Sequence, residues 1–186
     1  MRSPLDQITT WGHFPPLLPD VATIAAVARR PETLQAVHGV LDRLTPDDYT
    51  TYLKRFIDEG MLRFGQHWHY LDIMNVLYAA ATMIRPRRYL EIGVRRGRSL
   101  AMVLSASPQT EATGFDLWQP SYAGMENPGP EFVEAEIGRL VRGAKLSLMS
   151  GDSHVTVPAF FAEHPGVEFD LITVDGDHSI EGARRD

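Results

Sequence analysis

Beyond Pro86 the chain falls into four short apolar runs, RYLEIG, EATGFD, AKLSLMSGD and FDLITVDGD, separated by stretches of helical character. Strands alternating with helices join through right-handed crossovers into a parallel sheet covered on both faces. The spacing predicts helices from Arg98 to Ala106, from near Glu131 to Val141 and from near His154 to Glu163. Tyr89 to Ile92 and Leu171 to Val174 have the mostly apolar content of interior strands. Ligands of such sheets sit beyond the carboxyl ends of the strands, so the residues just after each run are the candidates for chemistry.

The first part of the chain reads differently. Pro4, Pro15, Pro16 and Pro19 argue against a helix through residues 1–19, which read as an arm or linker. Asp20 is placed to cap a helix over Val21 to Arg30, and Pro31 to open another through Leu44. Thr45-Pro46-Asp47-Asp48 reads as a cap, a first-turn proline and two acids favoured by the helix dipole, with that third helix ending at Gly60. Leu71, Met74, Leu77, Tyr78, Ala81 and Ile84 recur at helical spacing, which predicts an amphipathic helix from about Trp68 to Ile84. The expected division is a Pro-rich arm and helical region over residues 1–67 and an α/β domain over residues 68–186.

Composition removes several classes of function. Among 186 residues there is no cysteine, which excludes disulfides, thiolate metal sites and cysteine nucleophiles. Lys plus Arg number 18 against 24 for Asp plus Glu, and a net charge of -6 gives no global reason to expect nucleic acid or a membrane surface as partner. No apolar run approaches the roughly 18 residues of a membrane span. The N-terminus lacks the basic start and apolar centre of a signal peptide, so a cytoplasmic location is the default expectation.

The strand ends carry the chemistry. The first is Glu91-Ile92-Gly93-Val94-Arg95-Arg96-Gly97-Arg98-Ser99, where two glycines allow a tight turn and close approach of backbone to a ligand. Its spacing is GxxxG, not the GxGxxG of dinucleotide folds. Asp116 ends the second run about 20 residues after Gly93, where nucleotide-binding sheets place an acid for ribose hydroxyls. Ser150-Gly151-Asp152-Ser153 offers an acid and a backbone N–H to an adenine edge, or simply a helix cap. Asp175-Gly176-Asp177-His178 is the richest cluster, with two carboxylates suited to a hard cation and an imidazole suited to base work. A helix start capped by Asp177 or Ser179 is the plainer alternative.

Taken together, these four strand ends resemble class I S-adenosylmethionine (SAM)-dependent methyltransferases. YLEIGVRRGRSLA and FDLITVDGDHSIEGARRD are most similar to methyltransferase domain family 24, near the macrocin-type O-methyltransferases and cephalosporin-hydroxylase-like proteins, over about Trp68 to Asp186. The resemblance implies a Rossmann-like parallel sheet, here incomplete at about four strands, behind a helical N-terminal region. It implies that Glu91 and the Gly93 backbone hold the methionine part of SAM, with Gly97 giving room at the turn. Asp116 would bind the ribose, Leu117 and Trp118 would lie beside the adenine, and Asp152 and Ser153 would read its edge. Asp175 would close the methionine end; in metal-using relatives the matching acid shares Mg2+ with partners after the next strand. Asp175 and Asp177 are therefore the candidate Mg2+ ligands, and Asp175 and His178 the candidate catalytic residues. A class I sheet has seven strands, so about 60 further residues would be needed to complete it. The resemblance thus implies a chain truncated at its C-terminus, with an apolar face and a strand edge uncovered.

The expected reaction is methyl transfer to a hydroxyl of a small-molecule acceptor. A nicotinamide-dependent oxidoreductase and a noncatalytic cofactor-binding or assembly module stay open as alternatives. Arg85, Arg87, Arg88, Arg95, Arg96 and Arg98 surround the glycine turn and read as a solvated rim. His67 and His69 suit packing or acceptor contact better than metal binding. The long loop Gln119 to Pro130 suits a lid, with Tyr122 and Met125 closing over substrate. The helical region suits an acceptor cap or a homo-oligomer contact.

Overall fold

The computed structural model describes residues 19–121 and 124–185. The expected arm falls almost wholly outside them, as does Tyr122. Asp20 begins a helical layer by accepting the Thr23 amide at 2.7 Å, which caps α1 (Val21–Ala28). Pro31 stands in the first turn of α2 (Pro31–Arg43), where its missing N–H costs nothing.

The third helix, α3 (Asp48–Phe64), corrects the sequence reading at both ends. Its cap is Asp47, whose carboxylate accepts the Thr50 amide at 2.8 Å. Thr45 is drawn elsewhere: its amide and hydroxyl donate to the Glu136 carboxylate at 2.7 and 2.6 Å. At the far end the helix runs through Gly60, because this glycine provides space rather than a stop. A β-carbon there would lie 2.2 Å from the Trp68 indole. That indole stacks on Tyr70 at 5.3 Å and packs against Phe56 at 5.7 Å. The segment from Trp68 is consequently not yet helical. After a single 3-10 turn at Gly65–His67, α4 (Ile73–Ile84) starts from a capping box formed by Asp72 and Asn75.

The α/β part then follows the expected alternation: β1 (Arg88–Ile92), α5 (Arg98–Ala106), β2 (Glu111–Asp116), α6 (Pro130–Leu140), β3 (Lys145–Ser150), α7 (Ser153–Glu163), β4 (Leu171–Val174) and a short α8 (Gly182–Arg185). All pairings are parallel, in the order β3-β2-β1-β4. The chain steps outward from β1 to β3 and then crosses back to the far side of β1. The order therefore reverses between β1 and β4, and ligands of such sheets bind outside the strand ends at a reversal of this kind. Among the described residues only β1 pairs with β4, and Ile172 and Val174 are 55% and 51% exposed.

One apolar core joins the helical layer to the sheet. Val37 and Leu41 of α2 and Leu53 and Ile57 of α3 belong to the same buried cluster as Leu100 and Met102 of α5 and Val133 and Ile137 of α6. On the opposite face Leu90, Ile92 and Phe115 pack under α7, with Phe115 edge-on to Phe160 at 5.6 Å. No helix among the described residues is long and apolar enough to cross a membrane.

The core holds one buried carboxylate chain. Glu91, fully buried in β1, accepts from Ser99 of α5 and from the Tyr89 hydroxyl at 2.6 Å, and Tyr89 lies 2.9 Å from Thr173 of β4. Burial pushes the Glu91 carboxyl up from 4.5 to about 7 against the opposing hydrogen bonds from Ser99 and Tyr89, with the charges of Asp175 and Asp116 adding to the rise. Burial, then the charge of Glu91, raises Tyr89 in turn.

Two outcomes are expected. Gly60→Ala gains up to about 1 kcal/mol of helix propensity but displaces a packed indole at a cost of about 1–3 kcal/mol, so urea unfolding should show a net loss. Adding Trp68→Ala should remove the loss attributable to the clash. For Glu91, a carboxyl raised in the folded state binds its proton more tightly there than in the unfolded chain. Its stabilising contribution is complete below about 4.5 and is lost as pH rises through about 7, amounting to about 3 kcal/mol. Glu91→Gln should therefore flatten the fall in stability between pH 5 and 8, and parallel wild-type and variant profiles would count against this assignment.

Candidate functional site

The turn between β1 and α5 is built on left-handed backbone at Gly93 (φ 90°), Arg95 (φ 50°) and Gly97 (φ 70°). Gly93 is needed twice over, since a β-carbon would also stand 2.1 Å from the Asp175 carbonyl oxygen. The backbones after β1 and β4 meet here, with the Asp175 amide donating to Ile92 at 2.8 Å and the Gly93 amide to Phe115 at 2.8 Å. Gly97 begins α5 against Val133, whose Cγ1 lies 2.8 Å from the position of an added β-carbon. Arg95 carries its strained conformation without glycine's freedom, and its amide is held by Asp116 Oδ2 at 2.7 Å.

Asp116 thus reaches the turn from β2, with its oxygens already engaged by protein. Besides Arg95 it accepts the Trp118 amide at 2.5 Å and the Asn127 side chain at 3.2 Å. A ribose arriving here has to share or displace these donors. Leu117 is 59% exposed at the edge, while the Trp118 indole donates to Ser150 at 2.9 Å across the ends of β2 and β3. The loop after Trp118 folds back on the turn through Met125, 3.2 Å from Arg95 Nη2, through Glu126, paired with Arg96, and through Asn127 on Asp116.

Asp152 caps α7 by accepting the His154 amide at 2.9 Å, and Ser153 is the first residue of that helix. His154 Nδ1 also lies 3.2 Å from Asp152. Asp177 accepts the Ser179 amide at 2.8 Å, which holds its carboxyl below the ordinary range, and Asp175 pairs with His178 Nε2 at 3.0 Å. Asp152, Asp175 and His178 have side chains more than half exposed.

The structure does not support the Mg2+ expectation. Among the described residues no three His, Cys, Asp or Glu side chains form a group able to hold a metal ion. Asp175 is turned to His178 and Asp177 to the start of the next turn. His67 and His69 are exposed and belong to no such group either.

The reading of the arginines as a solvated rim is overturned for two of them. Arg96 and Arg98 are each 6% exposed and converge on Asp47, the cap of α3. Asp47 and Asn127 are the participants that sequence reasoning missed. Asp47 alone carried a signal, as a helix-start acid, but nothing in that signal pointed to the turn.

Two cavities lie in the helical layer. One is a void of about 10 Å³ between α2, α3 and the start of α4, the other a groove of about 510 Å³ along α3 lined by Tyr52, Arg55, Phe56, Asp58, Glu59 and Leu62. The strand ends bring the glycine turn, Asp116 and the exposed Asp175–His178 dyad to one edge of the sheet.

No curated protein matches the sequence. Solved structures that resemble it include the O-methyltransferase TomG from Streptomyces achromogenes, involved in tomaymycin synthesis and solved in complex with SAM. The TM-score is 0.46 at 19% identity, over 72% of this chain and 55% of that one. The SAH-bound Podospora anserina methyltransferase PaMTH1 aligns with TM-score 0.42 at 18% identity, over 88% and 62% of the two chains. This chain therefore spans 55 to 62% of the length of these structures. Residues 90–186, just over half of the chain and the sheet from the middle of β1 onward, match the methyltransferase domain family 24, and the chain belongs to that family.

Proposed function

We propose that the protein binds SAM at the open edge between β1 and β4 and directs methyl transfer to a hydroxyl of a small-molecule acceptor. The observation that carries the reading is the meeting of the Gly93–Gly97 turn, Asp116 and Asp175 at the point where strand order reverses. Family membership supports the same reading. When bound, the cofactor supplies a methyl group on a sulfonium, which departs as a neutral thioether and asks little of the protein beyond alignment and removal of the acceptor proton.

The residues divide that work. The Gly93 and Gly97 backbone admits the cofactor close to the sheet, and Asp116 receives its ribose in exchange for donors it now holds from the protein. Leu117 supplies an exposed apolar face beside the adenine, and Asp152 and Ser153 lie at the next strand end. His178 acts as the base. With Nε2–H donating to Asp175, Nδ1 accepts the hydroxyl proton while the carboxylate steadies the resulting imidazolium. No metal is assigned a step.

Calorimetry should detect binding of S-adenosylhomocysteine, and Asp116→Ala should weaken it about tenfold or more through loss of a charged hydrogen-bond acceptor. Absence of heat with the wild type would end the proposal, and a thermal shift with NADH but not with SAM would favour the oxidoreductase reading. His178→Ala should retain cofactor affinity yet lower turnover of a hydroxylated acceptor by about 10²–10⁴-fold. Cofactor binding without S-adenosylhomocysteine production from any acceptor in a hydroxyl library would instead favour a noncatalytic module.

A further inference from the structure

We propose that Asp47 is a positioning residue for the cofactor turn, holding from the helical layer the two buried arginines that flank Gly97. The inference rests on the methyltransfer reading only in taking the Gly93–Gly97 turn as the cofactor seat.

Arg98 opens α5 and reaches across to α3. Its Nη2 pairs with Asp47, its Nε donates to Thr50 Oγ1 at 3.0 Å, and its guanidinium lies 5.1 Å from the centre of the Tyr49 ring. Arg96, on the other side of Gly97, places Nε 3.5 Å from the same Asp47 oxygen and lies 4.6 Å over Phe132. It also donates to the Thr45 carbonyl at 3.4 Å and pairs with Glu126, whose side chain is 65% exposed. Asp47 is therefore the anion common to both arginines and the one less open to water, at 21% side-chain exposure. Burial alone would raise its carboxyl. The hydrogen bonds from Thr50 and Arg98 outweigh that and hold it at about 2, so the charge persists throughout the neutral range.

A buried guanidinium without its anion is strongly disfavoured, whereas the intact pair is tolerated. Once Asp47 is neutral, the least costly relief is for the two side chains to swing toward water. Their backbones enclose Gly97, so that movement perturbs the left-handed turn and the neighbouring Arg95 amide held by Asp116. Asp47 thereby sets the shape of the seat through the arginines.

Asp47→Asn isolates the charge, because asparagine caps a helix about as well as aspartate. Titration of the full chain with S-adenosylhomocysteine in a calorimeter should show a Kd about tenfold weaker than wild type with unchanged stoichiometry. Glu136→Gln is the matched control: it also weakens a carboxylate clamp on Thr45 but touches neither arginine, so it should lower the melting temperature and leave Kd unchanged. An Asp47→Asn variant with wild-type Kd, or with lowered stoichiometry at wild-type Kd, overturns the proposal, as does equal weakening by Glu136→Gln. Should Asp47→Asn fail to fold, Arg98→Gln removes the cation that Asp47 holds beside Gly97 and should still weaken Kd; wild-type affinity there overturns the proposal too. No heat with the wild type is a different result, since it removes the cofactor reading and the seat together.

Discussion

Gly93 has no room for a side chain because the Asp175 carbonyl fills the space, and the organisation of the sheet edge depends on that contact. It lets the backbones after β1 and β4 touch at the reversal of strand order. A turn this tight takes left-handed conformations at Gly93, Arg95 and Gly97, and only two of these residues are glycine. The third is stabilised from β2, where the Asp116 carboxylate receives the Arg95 amide. The residue best placed for a ribose is thus also a structural tie, and ligand entry and turn conformation draw on the same oxygen atoms.

The helical layer enters this arrangement through charge as well as packing. Its apolar residues share one core with α5 and α6, but a nonpolar contact does not fix the direction of a turn. The Arg96 and Arg98 guanidiniums do, because each must meet Asp47 in a particular geometry to offset its own desolvation. Directional, costly interactions of this kind restrict a site to one arrangement where apolar burial alone would accept several. Glu91 follows the same logic inside the sheet, linking α5, β1 and β4 through Ser99, Tyr89 and Thr173.

Much of the α/β region is legible along the chain. The bounds of α5, β2 and β4 agree with the apolar runs, since local burial periodicity and strand content are properties of neighbouring residues. The helical layer is less legible. Gly60 looks like a stop and is instead a notch for Trp68, while Thr45 looks like a cap and instead bonds to Glu136. In both cases a partner distant in sequence or lying beyond the helix outweighs a local preference of about 1 kcal/mol. The site divides in the same way. Gly93, Asp116 and the Asp175–His178 pair are visible from their positions after strands, whereas Asp47 reaches the turn only through the packing of α3.

The amino-acid order by itself determined a parallel α/β sheet, the glycine turn and the row of acids at its strand ends, because each depends on residues a few positions apart. Tertiary structure alone decided that β4 lies at the edge of the described sheet, that Asp116 is tied to the Arg95 amide and that two apparently solvated arginines are buried against α3. The physical reason is that desolvation and charge pairing depend on what surrounds a group in space. A linear pattern records which residues want burial or a partner, not which partner the folded chain brings within reach.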